Sequence, residues 1–186
     1  MKIFRLKSNS GDFSSFIENY PDGQQSIIGR AMAQQWKPFE ADFQPIALIQ
    51  RASDKGKKNY QFDVSGALGP FFVFSENGIQ ALSEGFLAKH GQFLPVNTPS
   101  KRKTFLGYYP INPAPNCLDM ERSKYRIYEN GLVIDKVVLV GNNLPQRDVF
   151  VIEEDIMRIF VTERFKRHVE VAGLNGFDFS DGIEVY

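Results

Sequence analysis

The feature that most constrains this chain is a strand, a capped helix and a second strand, encoded in that order by residues 159–179. Residues 159–161 form a β-branched and aromatic run that is typical of a buried strand. Thr162 follows where a hydroxyl can accept a hydrogen bond from the first helical turn, and Gly173 lies where a left-handed residue can end a helix. The predicted helix has one apolar stripe, which consists of Phe165, Val169 and Ala172. This unit is the best-specified part of the sequence, and what it specifies is architecture rather than function.

The opposite face of this predicted helix carries charges of both signs. Glu163 precedes Arg167 by four residues, and Lys166 precedes Glu170 by the same interval. Side chains four apart are neighbours on a helix surface, so we expect two ion pairs on a face exposed to solvent. Glu163 also places a carboxylate near the positive end of the helix dipole.

A similar unit occurs once earlier in the chain. Residues 71–74 are apolar, Ser75 is the candidate cap and Glu76 is the first-turn carboxylate. Gly91 is predicted to end this helix. Its buried stripe is predicted to consist of Ile79, Leu82 and Phe86. The repetition indicates either a duplicated piece or two independent uses of a common unit.

The rest of the chain has the pattern of short strands separated by turns, apart from a weak helical pattern over residues 26–36 that ends at Pro38. Residues 125–128 and 132–140 flank Asn130 and Gly131, a turn pair common in β-hairpins, and this predicts an antiparallel pair. No low-complexity linker divides the chain. We therefore predict a single α+β domain over residues 1–186, with a mostly antiparallel mixed sheet, a few helices and two strand-cap-helix units.

Composition limits the functional classes. The 22 basic and 22 acidic residues cancel, so no overall field attracts nucleic acid or an anionic membrane. A single cysteine, Cys117, excludes an internal disulfide and is typical of a reducing compartment. Neither a membrane-spanning run nor the apolar segment of a secretory signal is present, so the cytoplasm is the expected location. The 17 phenylalanines are expected to fill the core, the alternative being an exposed apolar surface for a partner.

Motifs of catalysis and metal binding are weak in this sequence. Cys117 stands alone, and His90 and His168 lie in different predicted helices without a second histidine three or four residues away. A nucleophilic set of Cys117, His168 and an acid can be imagined in any chain with these residue types. Residues 66–69 lack the spacing of a phosphate-binding glycine loop. We therefore predict no catalytic residue, no metal site and no cofactor.

Two short basic clusters, residues 55–58 and 101–103, are the sequence features closest to a nucleic-acid-binding pattern, and aromatic residues follow the second. Short basic loops in a neutral chain are more often simply solvated, because nucleic-acid binding requires several phosphate contacts. Nucleic acid is therefore not an expected partner.

Two acidic clusters supply the candidate partner-binding residues. The denser cluster is Glu153, Glu154 and Asp155, and the second is Asp119 with Glu121. Both can be solvated loops; the functional alternative is an anionic surface that docks a basic partner, because complementary charge speeds association. We expect that reversing residues 153–155 to lysine leaves folding intact and slows that association.

Three segments, taken in order, resemble a bacterial family of immunity proteins from polymorphic toxin systems, immunity family eleven. These segments are residues 72–76 with 93–96, residues 108–112 with 117–119 and Ser123, and residues 160–166 with 172–179. They define an immunity-like region over residues 71–186. Residues 1–70 resemble the family only around residues 36–38.

This resemblance implies a protein that binds a cognate toxin and blocks it, which protects the producing cell or its kin. It implies a protein partner and no catalytic residue. The alternative is a small-ligand-binding protein or an enzyme whose pocket is not visible in the sequence. A deep polar pocket with convergent acids would favour that alternative.

Overall fold

The computed structural model describes residues 1–20, 22–129 and 131–186. The strands are β1 (Ile3–Arg5), β2 (Lys7–Ser8), β3 (Ser15–Glu18), β4 (Ile46–Arg51), β5 (Val64–Ser65), β6 (Phe72–Ser75), β7 (Gly91–Asn97), β8 (Phe105–Pro110), β9 (Lys124–Tyr128), β10 (Gly131–Lys136), β11 (Val138–Leu139), β12 (Val149–Ile152), β13 (Asp155–Thr162), β14 (Phe177–Asp178) and β15 (Gly182–Val185). The α-helices are α1 (Ile27–Gln34), α2 (Glu76–Leu82) and α3 (Glu163–Val171). A π-helical turn, Ser83–Leu87, extends α2, and a 3-10 turn spans Gly141–Asn143. The α+β class predicted from the sequence is confirmed.

The larger sheet has six strands in the order β3-β4-β7-β8-β6-β5. All neighbours are antiparallel except β4 and β7, which run parallel. Phe72 of β6 and Phe93 of β7 both lie opposite Tyr108 of β8, so the middle of this sheet is aromatic. The sheet is therefore mixed and mostly antiparallel, as predicted.

The second sheet has five strands in the order β11-β15-β1-β13-β12. Its central strand, β1, pairs antiparallel with β13 through Ile3 and Thr162 and with β15 through Ile3 and Ile183. The N-terminal segment is thus sandwiched between two C-terminal strands. Only β11 and β15 are parallel neighbours in this sheet.

Both faces of the five-stranded sheet are buried, because successive side chains of a strand point to opposite faces. Val149 and Val151 join a large core cluster that also contains Phe16 and Tyr108 of the six-stranded sheet. Phe150 belongs to a second cluster, on the other face. None of the seventeen phenylalanines, all within the described residues, is exposed, so core filling is confirmed as their role.

The C-terminal strand-cap-helix unit forms as predicted. Thr162 Oγ1 accepts a hydrogen bond from the Phe165 amide at 3.3 Å, and Phe165 and Val169 are 0% and 2% exposed. Gly173 follows the helix with a φ of 66°. Two ion pairs join side chains four apart on the outer face, with Arg167 to Glu163 at 3.4 Å and Lys166 to Glu170 at 3.9 Å. Ala172 was predicted to be buried but is exposed, because the helix ends at it.

The strand, the cap and the helix of the earlier unit form as predicted, but the helix does not end where it was predicted to end. Ser75 Oγ accepts from the Gly78 amide at 3.1 Å, and Leu82 and Phe86 are buried. The prediction that Gly91 ends the helix is wrong, since Gly91 is the first residue of β7. A Cβ at Gly91 would lie 2.3 Å from ring atoms of Tyr108, so a close approach to this ring is what requires glycine there.

The predicted hairpin is formed by β9 and β10, with Tyr128 opposite Gly131. The proposed turn residue Asn130 lies outside the described residues. Residues 132–140 do not form one strand, because the chain leaves β10 at Lys136 and enters the five-stranded sheet as β11 at Val138. Across the described ranges, no helix combines the length and the apolar character needed to span a membrane.

Candidate partner-binding surface

The first acidic cluster is the turn between β12 and β13, where Ile152 lies opposite Asp155. Glu153 is exposed, and Glu154 is half-buried. Asp155 is only 4% exposed, and its carboxylate accepts hydrogen bonds from the Met157 amide at 3.0 Å and from Arg158 Nη1 at 2.6 Å. Asp155 therefore fixes the turn, while Glu153 is the carboxylate that faces solvent.

This arrangement changes the expectation that all three acids can be reversed without loss of folding. A lysine at position 155 would place a second cation against Arg158, inside the protein. Removing one partner of a buried ion pair costs about 3–5 kcal/mol, and reversal adds repulsion to that cost. A charge-reversal test of this turn is therefore best made at Glu153.

In the second acidic cluster, too, one carboxylate is buried and the other is exposed. Asp119 is 8% exposed, and its carboxylate accepts hydrogen bonds from the backbone amides of Glu121 and Arg122, each at 3.0 Å. Arg122 Nη1 also donates to Asp119 at 3.0 Å. Partial burial raises the pKa of Asp119, but the hydrogen bonds from Arg122 and Glu121 outweigh it and leave that pKa below its usual value. The Glu121 side chain is exposed.

A single loop, residues 114–119, runs from the first acidic turn to the second. At one end the Glu153 amide donates to the Ala114 carbonyl at 3.1 Å, and at the other the Asp119 amide donates to the Val138 carbonyl at 2.9 Å. The two turns are thus attached to β12 and β11, the opposite outer strands of the five-stranded sheet.

The β9–β10 hairpin follows directly after the Asp119 turn and is anchored at its base. Ser123 Oγ both donates to the Val138 carbonyl, at 3.2 Å, and accepts from the Val138 amide, at 3.0 Å. From the other side, Arg158 Nη2 donates to the Ile134 carbonyl at 2.7 Å. Because Arg158 also pairs with Asp155, its guanidinium connects the first acidic turn to the hairpin.

Beyond this base, the hairpin exposes apolar side chains. Ile127, Tyr128 and Val133 are 75%, 51% and 45% exposed. Ile127 lies opposite Leu132 and Val133 lies opposite Arg126, so apolar groups occur on both faces of the two-stranded ribbon. Within the described residues, neither β9 nor β10 pairs with a third strand. Open edges and exposed apolar groups are features that a partner can cover.

Sequence reasoning predicted the hairpin but missed this exposed surface. The available signal was the adjacent pair Ile127-Tyr128, which places one large apolar residue on each face of a strand. A two-stranded ribbon that packs on one side can bury only one of them.

A groove of about 1000 Å³ lies elsewhere, against the six-stranded sheet. Residues 60–63, helix α2, residues 99–103 and the turn at residues 172–175 contribute its walls. The second basic cluster therefore lines a concave surface. The first basic cluster does not: Lys55 and Lys57 form ion pairs with Asp12 at 2.9 and 3.5 Å.

The base of this groove is organised by Asp63, which is 4% exposed. Its carboxylate accepts hydrogen bonds from the Ser75 hydroxyl at 2.6 Å, the Asn175 amide at 2.9 Å and the Lys103 ammonium at 3.1 Å. Ser75 is the cap of α2, and Asn175 follows α3. One carboxylate thus joins the two strand-cap-helix units. A Cβ at Gly78, in the first turn of α2, would lie 3.0 Å from the Asp63 carbonyl, which explains a glycine inside this helix.

The cysteine and the two histidines lie in unrelated surroundings. Cys117 is buried, its Sγ lies 3.2 Å from the Asn143 carbonyl, and burial raises the pKa of its thiol to about 11. Burial, with Arg147 and Lys89 nearby, lowers the pKa of His90. His168 Nε2 lies 2.9 Å from the Ala81 carbonyl. In the part of the chain that the structure describes, no group of three or more potential ligands is placed to hold a metal ion.

With this geometry in place, comparison with known protein families gives a match in this part of the chain. A family model described as an immunity protein family (Imm11) matches residues 114–184. This range contains both acidic turns, the whole β9–β10 hairpin and α3. No curated protein matches the chain. The resemblance predicted from the sequence is confirmed over the matched range, which leaves out the first strand-cap-helix unit and residues 108–112.

The family match points to an immunity protein role. The predicted acidic residues Asp119, Glu121, Glu153, Glu154 and Asp155 all fall inside it, as does the exposed part of the hairpin. The groove belongs mostly to residues outside the match.

Proposed function

We propose that this protein is an immunity protein that binds a cognate bacterial toxin and neutralises it by occlusion. The observation that carries the proposal is the coincidence of the immunity family match, residues 114–184, with an exposed apolar hairpin. Immunity proteins generally act by binding rather than by catalysis, and binding requires such a surface. We place this action in the cytoplasm of the producing cell.

The proposed contact surface consists of an apolar centre and an acidic border. Ile127, Tyr128 and Val133 form the centre, and a specific interface needs roughly 800 Å² per partner with a few such anchors, tyrosine being a favoured one. Glu121 and Glu153 form the border, where charges act mainly on the association rate. A toxin whose substrate is anionic has a cationic cleft, which this border would complement.

The chain is proposed to act as one α+β domain. The N-terminal part supplies β1 to the centre of the five-stranded sheet and β3, β4 and β5 to the six-stranded sheet. Its side chains also join the larger core cluster with Val149 and Val161. We therefore expect that residues 71–186, expressed alone, do not fold.

The alternative, a small-ligand-binding protein or enzyme, would use the groove. That alternative calls for convergent acids, and the one carboxylate among the groove-lining residues is Asp63. Both of its oxygens are occupied by hydrogen bonds from within the protein. The groove therefore supports binding better than acid-base chemistry.

The deciding experiment pairs the chain with the product of the neighbouring toxin-like reading frame. Co-expression is expected to restore growth and to give a complex that co-purifies. If neither is observed, the immunity proposal is wrong. Replacing Ile127 with serine and Tyr128 with alanine should weaken the complex by about thirtyfold or more, as expected for two central anchors.

The chain offers a matched control for this double variant. Ile17 and Ile49 are a cross-strand pair of exposed apolar residues on β3 and β4, outside the family match. Replacing both with serine should leave toxin affinity unchanged. Equal losses in the two double variants would remove the hairpin from the interface.

The acidic border makes a separate kinetic prediction. Reversing Glu121 and Glu153 to lysine should slow association with the toxin, leave dissociation nearly unchanged and weaken the salt dependence of the association rate. Surface plasmon resonance at low and high ionic strength measures both rates. An unchanged association rate would show that these carboxylates lie in solvated loops outside the interface.

A further inference from the structure

A second surface, separate from the hairpin, is positively charged, although the chain as a whole is neutral. The groove against the six-stranded sheet is lined by three cations, Lys101, Arg102 and Lys103, and by one carboxylate, Asp63. The chain as a whole has no net charge. The groove is therefore a local cationic site in a neutral protein.

Of these three cations, Lys103 alone forms an ion pair within the described residues. Lys103 pairs with Asp63 at 3.1 Å, so this cation is neutralised. Across the described ranges, neither Lys101 nor Arg102 forms an ion pair, and both are exposed. Two cations are thus available to a ligand.

The loop that carries Lys101 and Arg102 is fixed at its C-terminal side. The Lys103 amide donates to Ser100 Oγ at 3.1 Å, which closes a turn around the two cations. The Lys103 ammonium reaches both the Phe62 carbonyl and the Asp63 carboxylate at 3.1 Å. Because this anchoring already restricts the loop, a ligand that pairs with the two cations orders less chain on binding.

Besides the hydroxyls of Tyr60 and Ser100, five carboxamide side chains contribute polar groups to the groove. They are Gln50, Gln61, Asn77, Gln80 and Asn175. In the described structure none of these five side-chain amides hydrogen-bonds to another protein group. A carboxamide has both a donor and an acceptor, so it can match the N–H and C=O groups of an extended peptide. The apolar floor includes Phe105, which is 5% exposed.

We propose that this groove binds an acidic, extended peptide segment of a protein partner. Carboxylates of the segment pair with Lys101 and Arg102, and its backbone pairs with the carboxamides. The volume of about 1000 Å³ lies at the upper end of ordinary ligand pockets and accommodates a short segment. Nucleic acid fits less well, since it requires a longer series of phosphate contacts than two free cations provide.

This proposal is independent of the hairpin interface. Lys101 and Arg102 lie outside the immunity family match, and the proposed hairpin surface uses other elements. The groove can therefore fail its test while the immunity function stands, and the reverse also holds.

The test is a titration of the ¹⁵N-labelled full chain with a short polyglutamate peptide, followed by amide chemical shifts at low and high salt. Shifts are expected at residues 100–103 and 172–175, and they should diminish with salt. Replacing Lys101 and Arg102 together with glutamate should weaken binding by about tenfold or more. Shifts elsewhere, or shifts that persist unchanged in this variant, would overturn the proposal.

A matched control reverses two other exposed lysines that form no ion pair among the described residues, Lys37 and Lys89. This variant has the same net charge as the groove variant and should bind the peptide as the parent does. If the glutamate substitutions at Lys101 and Arg102 disturb folding, glutamine at both positions removes the charges without reversal and should still weaken binding. Equal weakening in control and groove variants would show a non-specific charge effect and reject the site.

Titrations with other anions determine which class of ligand the groove prefers. Inorganic phosphate, a nucleoside triphosphate and a single-stranded oligonucleotide are titrated in the same way. The peptide should give the tightest binding of the four. Tighter binding of phosphate or the nucleotide at the same residues would make this a small-anion site, and tighter binding of the oligonucleotide would make it a nucleic-acid site; both results contradict the proposal.

Discussion

Replacing Asp63 with alanine tests the idea that one carboxylate joins the two strand-cap-helix units. Asp63 accepts from Ser75, Asn175 and Lys103 at 2.6, 2.9 and 3.1 Å. After the substitution the buried Ser75 hydroxyl loses its partner, at a cost of about 1–3 kcal/mol. The Asn175 amide, in an exposed residue, loses a hydrogen bond worth about 1 kcal/mol. The Lys103 side chain is 30% exposed and can turn towards water, so we add nothing for it.

The expected loss of unfolding free energy is therefore about 2–4 kcal/mol. Asp63→Asn keeps the shape and one acceptor, so it should lose less, although its amide group must then face a donor. Urea unfolding followed by circular dichroism measures both variants, and the midpoint should fall while the slope stays constant. This combination would show a loss of native contacts rather than a change in the unfolded chain.

An exposed ion pair supplies the control. Asp135 pairs with Arg126 at 3.1 Å, and its side chain is 52% exposed. Water screens this pair, so Asp135→Ala should destabilise far less than Asp63→Ala. Equal effects of the two substitutions, or an Asp63→Ala variant as stable as the parent, would refute the role assigned to Asp63.

Three further substitutions and one labelling reaction test local parts of the fold. Phe165→Ala should cost about 3–5 kcal/mol in thermal melts, because it removes a fully buried ring. Thr162→Ala should cost about 1–2 kcal/mol, because it removes a cap whose hydroxyl also hydrogen-bonds to Asp148. A larger loss for Thr162→Ala than for Phe165→Ala would show that the Phe165 ring does not lie in the core. Gly91→Ala should lower the melting temperature more than a typical surface substitution does, because the new Cβ would lie 2.3 Å from the Tyr108 ring. An unchanged melting temperature would contradict this. Cys117 should react slowly with iodoacetamide at neutral pH, because burial raises its thiol pKa to about 11, and should react readily after unfolding; fast labelling of the native protein would refute its burial.

The parts of this fold that could be predicted are those specified by neighbouring residues. The caps Thr162 and Ser75 each bond to an amide three residues on, and the α3 ion pairs join residues four apart. A single sequence contains all the information for such contacts. The end of the earlier helix was missed because Gly91 is required by a ring on another strand, Tyr108, and no local pattern indicates it.

The Asp63 contacts show why the rest could not be predicted. Its partners Ser75, Lys103 and Asn175 lie 12, 40 and 112 residues away in the sequence. Asp63 has no neighbouring acid and stands in no motif, so no local pattern distinguishes it from a solvated carboxylate. In the structure, one acid of each cluster, Asp119 or Asp155, is used to hold its own turn.

The two parts of the proposed toxin surface differ in how firmly they are attached, and this follows from β13. That strand begins at Asp155 and ends at Thr162, so the acidic turn and the cap of α3 are the two ends of one element. It is paired on both sides, with β1 and with β12, and its turn is closed by the Asp155–Arg158 pair. The turn is therefore rigid, and Glu153 is presented from a fixed position.

The hairpin is supported along one face only, where Tyr125, Leu132 and Ile134 pack in or against the second core cluster. It is attached through Ser123 at its base and through Arg158 to the Ile134 carbonyl, while Ile127 and Tyr128 extend beyond these contacts. A surface of this kind can adjust its apolar anchors after a charged, rigid turn has oriented the partner. On the proposal made above, Glu153 therefore governs the association rate, and Tyr128 and its neighbours govern the stability of the complex.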